Sequence, residues 1–216
     1  MDKLICVGKN YSEHVQELAK LIGDSVPEKP VLFLKPPSVL VAASPPSDLS
    51  GSLALPFPED RGAVHPECEI VIRLRSGGYR LSPEQALASM DAVTLGLDMT
   101  LRDVQSKIKK AGGPWEVSKI FPGSAVTGPW ISLQEFPEFA ETEFTFSVNG
   151  SVRQKGKGTQ MSLSPAECIA YASEHFPLCA GDLVFTGTPA GVGPVQRHDR
   201  AELQWSDRLK YQVHWI

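Results

Sequence analysis

At 216 residues the chain is long enough for one good hydrophobic core and short for two, so a single domain over 1–216 is expected. Its 21 basic and 25 acidic residues give a formal charge of -4 with no basic block, which argues against nucleic acid and anionic membrane as partners. No apolar run approaches the roughly 20 residues of a membrane span, and the N-terminal apolar stretch is too short for a secretory signal. Cys6, Cys68, Cys168 and Cys179 lie far apart with no CxxC pair. Buried free thiols in a reducing cytoplasm fit that pattern better than disulfides or a zinc site.

In chain order, Leu4 to Val7 reads as a short strand that turns at Gly8. Asn10 and Glu13 have capping-box spacing, predicting a helix with Val15, Leu18, Ala19 and Ile22 as its buried stripe. His14 and Glu17 lie three apart beside that stripe, close enough to hydrogen-bond. Val31 to Lys35 is a second strand, stopped by Pro36-Pro37. Residues 44–62 read as a long loop with a short strand at Ser52 to Leu55.

Val64-His65-Pro66-Glu67-Cys68-Glu69-Ile70-Val71-Ile72-Arg73-Leu74 is the centre of the sequence. Its second half is β-branched and apolar, as in a buried strand. Side chains alternate, so His65, Glu67 and Glu69 share one face at about 6 to 7 Å per pair. Carboxylates that close repel unless a positive group sits between them, and a hard divalent cation suits carboxylate oxygens. The plain alternative is a strand end whose two acids face water.

A helix begins near Ser82-Pro83-Glu84, and Val93 to Thr100 forms the next strand. The chain then passes into a helix whose expected core face is Leu101, Val104, Ile108 and Ala111, ended by Gly112-Gly113-Pro114. Arg102 and Gln105 are i, i+3 partners on its first turn, just past Asp98. Asp98 is either a turn or cap residue or part of a small-anion site built at a strand end. Lys119 is expected at the surface, a lone charge among aromatic and apolar residues. Asn149-Gly150 marks a hairpin between Phe144–Val148 and 151–154, and Ser164-Pro165-Ala166-Glu167 opens a helix reaching His175. Leu183 to Thr186 is a strand. Residues 187–194 then make a Gly-rich loop lacking the Lys-Ser/Thr ending of a phosphate cradle. Ala201 to Trp205 and Lys210 to Trp215 are final strands.

Six ordered blocks together resemble the fumarylacetoacetate hydrolase family. They are Val7 to Glu17, Pro30 to Pro36, His65-Pro66-Glu67-Cys68-Glu69, Leu97 to Gln105, Pro114-Trp115 with Lys119, and Phe185 to Pro194. The chain is similar to the short bacterial members that handle acylpyruvates and oxaloacetate. The resemblance implies an α+β, mainly β fold, a mixed β-sandwich or β-roll with a few peripheral helices, and a homodimer. It implies Glu67, Glu69 and Asp98 as ligands of Mg2+, with Mn2+ or Ca2+ as alternatives. His14 and Glu17 match a water-activating dyad, Lys119 a lysine that approaches the substrate oxygen, and Arg102, Gln105 and Thr188 substrate-contacting positions.

The implied reaction is metal-dependent hydrolysis of the C–C bond of a short acylpyruvate. Oxaloacetate decarboxylation and keto–enol tautomerisation remain open at the same site, because all three proceed through enolate charge that a cation stabilises. A non-catalytic binder of metal and small acids is the alternative outside enzymes. Three departures from the family pattern stand out: Pro122 where an Asp is usual, Lys157-Gly158 where Asn or Thr and Thr are usual, and His198-Asp199 for a Gly-Asp turn.

Overall fold

The computed structural model describes residues 1–16, 29–43 and 52–216. Thirteen strands lie among them, in two mixed sheets. The larger contains β1 (Leu4–Gly8), β2 (Val31–Lys35), β3 (Leu40–Ala42), β5 (Val64–Leu74), β6 (Met90–Leu101), β7 (Ala125–Thr127), β8 (Ile131–Ser132) and β11 (Leu183–Phe185). Its order is β2-β1-β11-β5-β6-β7-β3, with β8 paired to β6. The smaller runs β10 (Ser151–Gly156), β9 (Phe144–Val148), β12 (Arg200–Trp205), β13 (Leu209–Trp215) and β4 (Ser52–Leu55). Four α-helices lie wholly within the described residues, α1 (Pro83–Ser89), α2 (Arg102–Lys110), α3 (Glu116–Lys119) and α4 (Pro165–His175), and a further helix begins at residue 12. The expected mainly β, mixed-sheet fold with a few helices is what the chain adopts.

β5 and β6 are the two longest strands and pair antiparallel at the middle of the larger sheet, from Val64 opposite Leu101 to Leu74 opposite Met90. Alternation along β5 sends Cys68, Ile70 and Ile72 into the main core, where Leu95, Leu97 and Trp205 also lie. The opposite face carries Glu67, Glu69 and Val71, and Val71 joins a second cluster with Cys6, Ala125 and Phe185. Both faces of β5 are covered, so its acids do not face water. Glu67 and Glu69 are 6% and 3% exposed, which excludes the solvated strand end.

Trp205 anchors the main core, its ring edge-on to Phe136, Phe139 and Phe144 at 5.0, 6.2 and 6.4 Å. The two sheets are tied by Tyr211, whose hydroxyl donates to Leu95 O at 3.0 Å. At Asn149 and Gly150 φ is 50° and 78°, the two positive values that a two-residue hairpin turn requires. Ser164 and Glu167 form the expected reciprocal capping box of α4.

Several expectations are corrected. Asn10 does not cap the first helix, which begins at residue 12. Its amide instead donates to Leu163 O and Thr186 O at 2.9 Å each, and its oxygen accepts from Leu163 N at 2.8 Å. A fully buried amide that stitches three segments together has no group left for a cap. Val15 is buried as expected, while Leu18, Ala19 and Ile22 lie outside the described residues.

The core face predicted for α2 is met only in part: Leu101 is in the main core and Val104 packs against it. Leu101 belongs to β6, Ala111 is exposed, and the helix's one buried residue is Gln105. The helix turns the polar Gln105 inward because it borders the cleft as well as the core. Cys179 is exposed, unlike the other three thiols. No helix among the described residues is long and apolar enough to cross a membrane.

Candidate active site

Strand pairing assembles the acids. Glu67 stands opposite Asp98, and Glu69 opposite Gly96. A Cβ on Gly96 would lie 2.4 Å from Val126 O and 2.7 Å from Val71 Cγ2, so that position stays bare beside Glu69. Asp98 is therefore a mid-strand residue and not the turn or cap residue that its place before α2 also allowed. Carboxylate oxygens of Glu67, Glu69 and Asp98 come within 4.8 Å of one another, and all three residues are buried.

Cations surround this cluster. The Lys119 ammonium donates to Glu67 Oε2 at 2.8 Å and Asp98 Oδ2 at 2.6 Å. At 3% exposure it is one of the most buried charges here, contrary to the surface position expected from composition. Lys35 Nζ lies 2.5 Å from Asp98 Oδ1 and donates to Met99 O at 3.1 Å and to Ser124 O. The Arg102 guanidinium pairs with Glu67 and also donates to Gln105 Oε1 at 2.6 Å. Three cations thus pair with two of the acids, Glu67 and Asp98.

Protonation follows from these neighbours. Burial favours a neutral Glu67, but Lys119 and Arg102 outweigh it and hold the carboxyl well below its ordinary range. Glu69 moves the other way: burial, then Asp98 and Glu67, push its carboxyl well above that range, although Gly187 N donates to its Oε2 at 2.7 Å. Burial would lower Lys119, yet Asp98 and Glu67 keep its ammonium above its usual value. Lys119 is accordingly a fixed positive charge and not a base. Burial and the nearby Arg102 lower His65 to about 4, so it is neutral near pH 7.

Glu67, Glu69 and Lys119 form the floor of a small cleft whose wall includes Gly8, Lys9, His14, Gly187 and Thr188. Phe33, Arg102, Gln105, Lys109 and Trp115 complete the lining. His14 is buried in that wall, 4% exposed, while Glu17 lies outside the described residues. Gly187 adopts φ 99°, and a Cβ there would lie 2.9 Å from Val7 O, so the wall needs glycine. The Thr188 hydroxyl donates to Cys68 O and accepts from Gln154 Nε2, both at 2.8 Å.

These residues fit a divalent cation. Hard carboxylate oxygens converge in a buried pocket, Asp98 Oδ1 has no hydrogen bond of good geometry despite the nearby Lys35, and the burial and repulsion felt by Glu69 outweigh the relief from Gly187 and Lys119. The group Asp2, Cys179 and Asp182 is different: Asp2 and Cys179 are exposed, and Asp182 is paired with Lys3.

The family's sequence profile, described as fumarylacetoacetate (FAA) hydrolase C-terminal, matches residues 3–215. The chain belongs to the fumarylacetoacetate hydrolase family. An oxaloacetate tautomerase of Escherichia coli K12 is 41% identical over 92% of this chain and 86% of its own length. A mitochondrial oxaloacetate tautomerase of Caenorhabditis elegans is 32% identical over 96% of this family member and 91% of its own length. The crystal structure of a Pseudomonas aeruginosa fumarylpyruvate hydrolase with Mn2+ and pyruvate superposes with a TM-score of 0.86 at 33% identity, covering 99% of this chain and 89% of that one.

Sequence reasoning missed several site residues of this family member. Lys35 enters the sequence reading only as the last residue of a strand stopped by two prolines. Gln154 was missed altogether; it accepts from Cys68 N at 3.0 Å and donates to Thr188 and Pro189 O, and no motif announces it. The departures from the family pattern have local accounts. Pro122 and Gly123 (φ 74°) form the centre of a turn closed by Ser124 N donating to Phe121 O at 2.9 Å, a turn that suits Pro followed by Gly. A Cβ on Gly158 would lie 2.9 Å from Ala140 Cα, and His198 takes the left-handed φ of 73° that a glycine would.

Proposed function

We propose that this protein is a divalent-metal-dependent enzyme of short α-keto acids, with keto–enol interconversion of oxaloacetate as its reaction. The observation that carries the reading is the buried Glu67, Glu69 and Asp98 cluster bridged by Lys119, in a chain 41% identical to an oxaloacetate tautomerase. A bound Mg2+ or Mn2+ held by these three carboxylates would act as a Lewis acid toward the keto oxygen.

The chain's own residues supply the rest. Tautomerisation moves one proton between the carbon beside the keto group and the keto oxygen. Lys119, permanently charged, offsets negative charge on that oxygen. His14, in the cleft wall, is the group placed to take and return the carbon-bound proton. Arg102, steadied by Gln105, offers a planar fork to the substrate's carboxylate. The buried floor limits access of water to the developing charge.

Hydrolysis of an acylpyruvate, the leading expectation from the sequence, is the second reading, and the likeness to a fumarylpyruvate hydrolase favours it. There His14 would activate water, with Glu17 as its orienting partner in the expected dyad. Assaying oxaloacetate, acetylpyruvate and fumarylpyruvate side by side, with Mg2+ and with chelator, separates the readings. Chelator-sensitive keto–enol interconversion of oxaloacetate without release of CO2, and with no cleavage of either acylpyruvate, establishes the first. Faster cleavage of either acylpyruvate replaces it with the second, and no turnover of any compound rejects both.

A further inference from the structure

The larger sheet is interrupted beside the acids. β11 pairs with β5 as far as Phe185 opposite Val71, and Thr186 adds hydrogen bonds to Ile70 O. The chain then turns away at Gly187, and contact with β5 resumes at Val195, whose N–H donates to Val64 O at 2.9 Å. Across that gap two side chains take the place of a strand for Cys68, the residue between Glu67 and Glu69. Gln154 Oε1 accepts from the Cys68 N–H at 3.0 Å, and the Thr188 hydroxyl donates to Cys68 O at 2.8 Å. A β-bulge delivers the first of them: pairing of β10 with β9 shifts register between Val152 and Gln154, so that Gln154 and not Arg153 stands opposite the buried Phe146.

Backbone groups fix every proton in this network. The Cys68 N–H can only donate, so Gln154 turns its oxygen there. Pro189 O can only accept, so Gln154 turns its amide nitrogen to that side, 2.8 Å away. The second amide proton goes to Thr188 Oγ1, also at 2.8 Å, and the Thr188 proton goes to Cys68 O. A hydroxyl has one proton and two lone pairs. Thr188 is left with one lone pair and no proton for the cleft that it lines with Glu67, Glu69 and Lys119. A keto or carboxylate oxygen gains nothing from such a group, because two acceptors then face each other; an enol hydroxyl can donate to it.

We propose that Gln154 positions Thr188 as an acceptor toward the cleft, and that the site thereby recognises the enol tautomer through its hydroxyl. The proposal rests on the α-keto acid reading above and deepens it. Lys119 donates to the reacting oxygen in either tautomer, whereas Thr188 serves only the protonated one.

The test uses pyruvate and the two enantiomers of lactate, which share a carboxylate and a C2 oxygen and differ in whether that oxygen carries a proton. Calorimetric Kd values are measured with Mg2+ for the wild type, Thr188→Val, Thr188→Ser and Gln154→Met, with melting temperatures on the same preparations. Thr188→Val should weaken the better-bound lactate about 3- to 10-fold relative to pyruvate, the range of a neutral hydrogen bond. Thr188→Ser should keep the wild-type ratio. Gln154→Met frees the hydroxyl to turn its proton toward the cleft, so there too the ratio should move toward pyruvate. A merely structural role would weaken all three acids alike, in step with the melting temperature. That result, or an unchanged ratio in Thr188→Val, would overturn the assignment while leaving the α-keto acid reading intact wherever oxaloacetate is turned over. A wild type that binds none of the three acids rejects the assignment, and the α-keto acid reading falls with it if oxaloacetate is not turned over either.

Discussion

Asp98 lies directly opposite Glu67 in the pairing of β5 with β6, and the single ammonium of Lys119 spans both carboxylates. Removing one member of so buried a cluster leaves uncompensated charge. Lys119→Met should lower metal-free stability by about 3 to 5 kcal/mol. Because a cation on the acids would replace the missing charge, Mn2+ should raise the variant's melting temperature more than it raises the wild type's. Identical melting in both, with and without Mn2+, would remove Lys119 from the cluster's charge balance.

The ligand assignment is checked by binding rather than by activity. Glu69→Gln keeps shape and removes one anionic donor, so Mn2+ affinity should fall by a factor of about 100 or more, beyond the usual effect of a supporting residue. Titration of Mn2+ followed by paramagnetic resonance or calorimetry reads this directly. Wild-type affinity in the variant would place the ion elsewhere.

His14 separates the chemistries. Hydrolysis needs a base to activate water, while decarboxylation relies chiefly on a cation as electron sink. His14→Ala should lose acylpyruvate hydrolysis or oxaloacetate tautomerisation by about 10² to 10⁴, with a much smaller loss in decarboxylation. A packing histidine would instead depress every reaction together and in step with a lower melting temperature. Rates and melting on one preparation distinguish the two outcomes.

Asp182 governs acid stability away from the cleft. Its buried carboxylate accepts from the backbone N–H of Asp2, Lys3 and Cys179 at 2.8, 3.1 and 2.9 Å, and lies 2.8 Å from Lys3 Nζ. Burial would raise its pKa, but Lys3 and those three N–H groups hold it below the ordinary carboxylate range. A carboxyl depressed by folding contributes stability that is present above its unfolded pKa and lost as pH falls through the folded value. Wild-type stability should therefore decline below about pH 4 more steeply than that of Asp182→Asn. At neutral pH the variant should be less stable by about 1.5 to 3 kcal/mol, as for a lost charged hydrogen bond. Parallel pH profiles for the two proteins in denaturant titrations would contradict this account.

Local sequence determined a great deal of this protein. The β-branched run of β5, the Asn149-Gly150 turn and the Ser164 box each fix neighbouring backbone, and each forms where expected. The alternation of Glu67 and Glu69 on one face of a strand is likewise a property of a few consecutive residues. Tertiary structure decided what those acids meet. Lys119 reaches Asp98 and Glu67 across 21 and 52 residues of chain, and its burial depends wholly on them. Composition around Lys119 reads only apolar neighbours, so it points to exposure, because an isolated ammonium is too costly to bury. The same gap limits the reading of α2: periodicity finds the stripe through which Val104 packs on the core, but not that Gln105 turns inward to Arg102 beside the cleft. A charge is buried or exposed according to partners brought to it by register and packing, which no local pattern encodes.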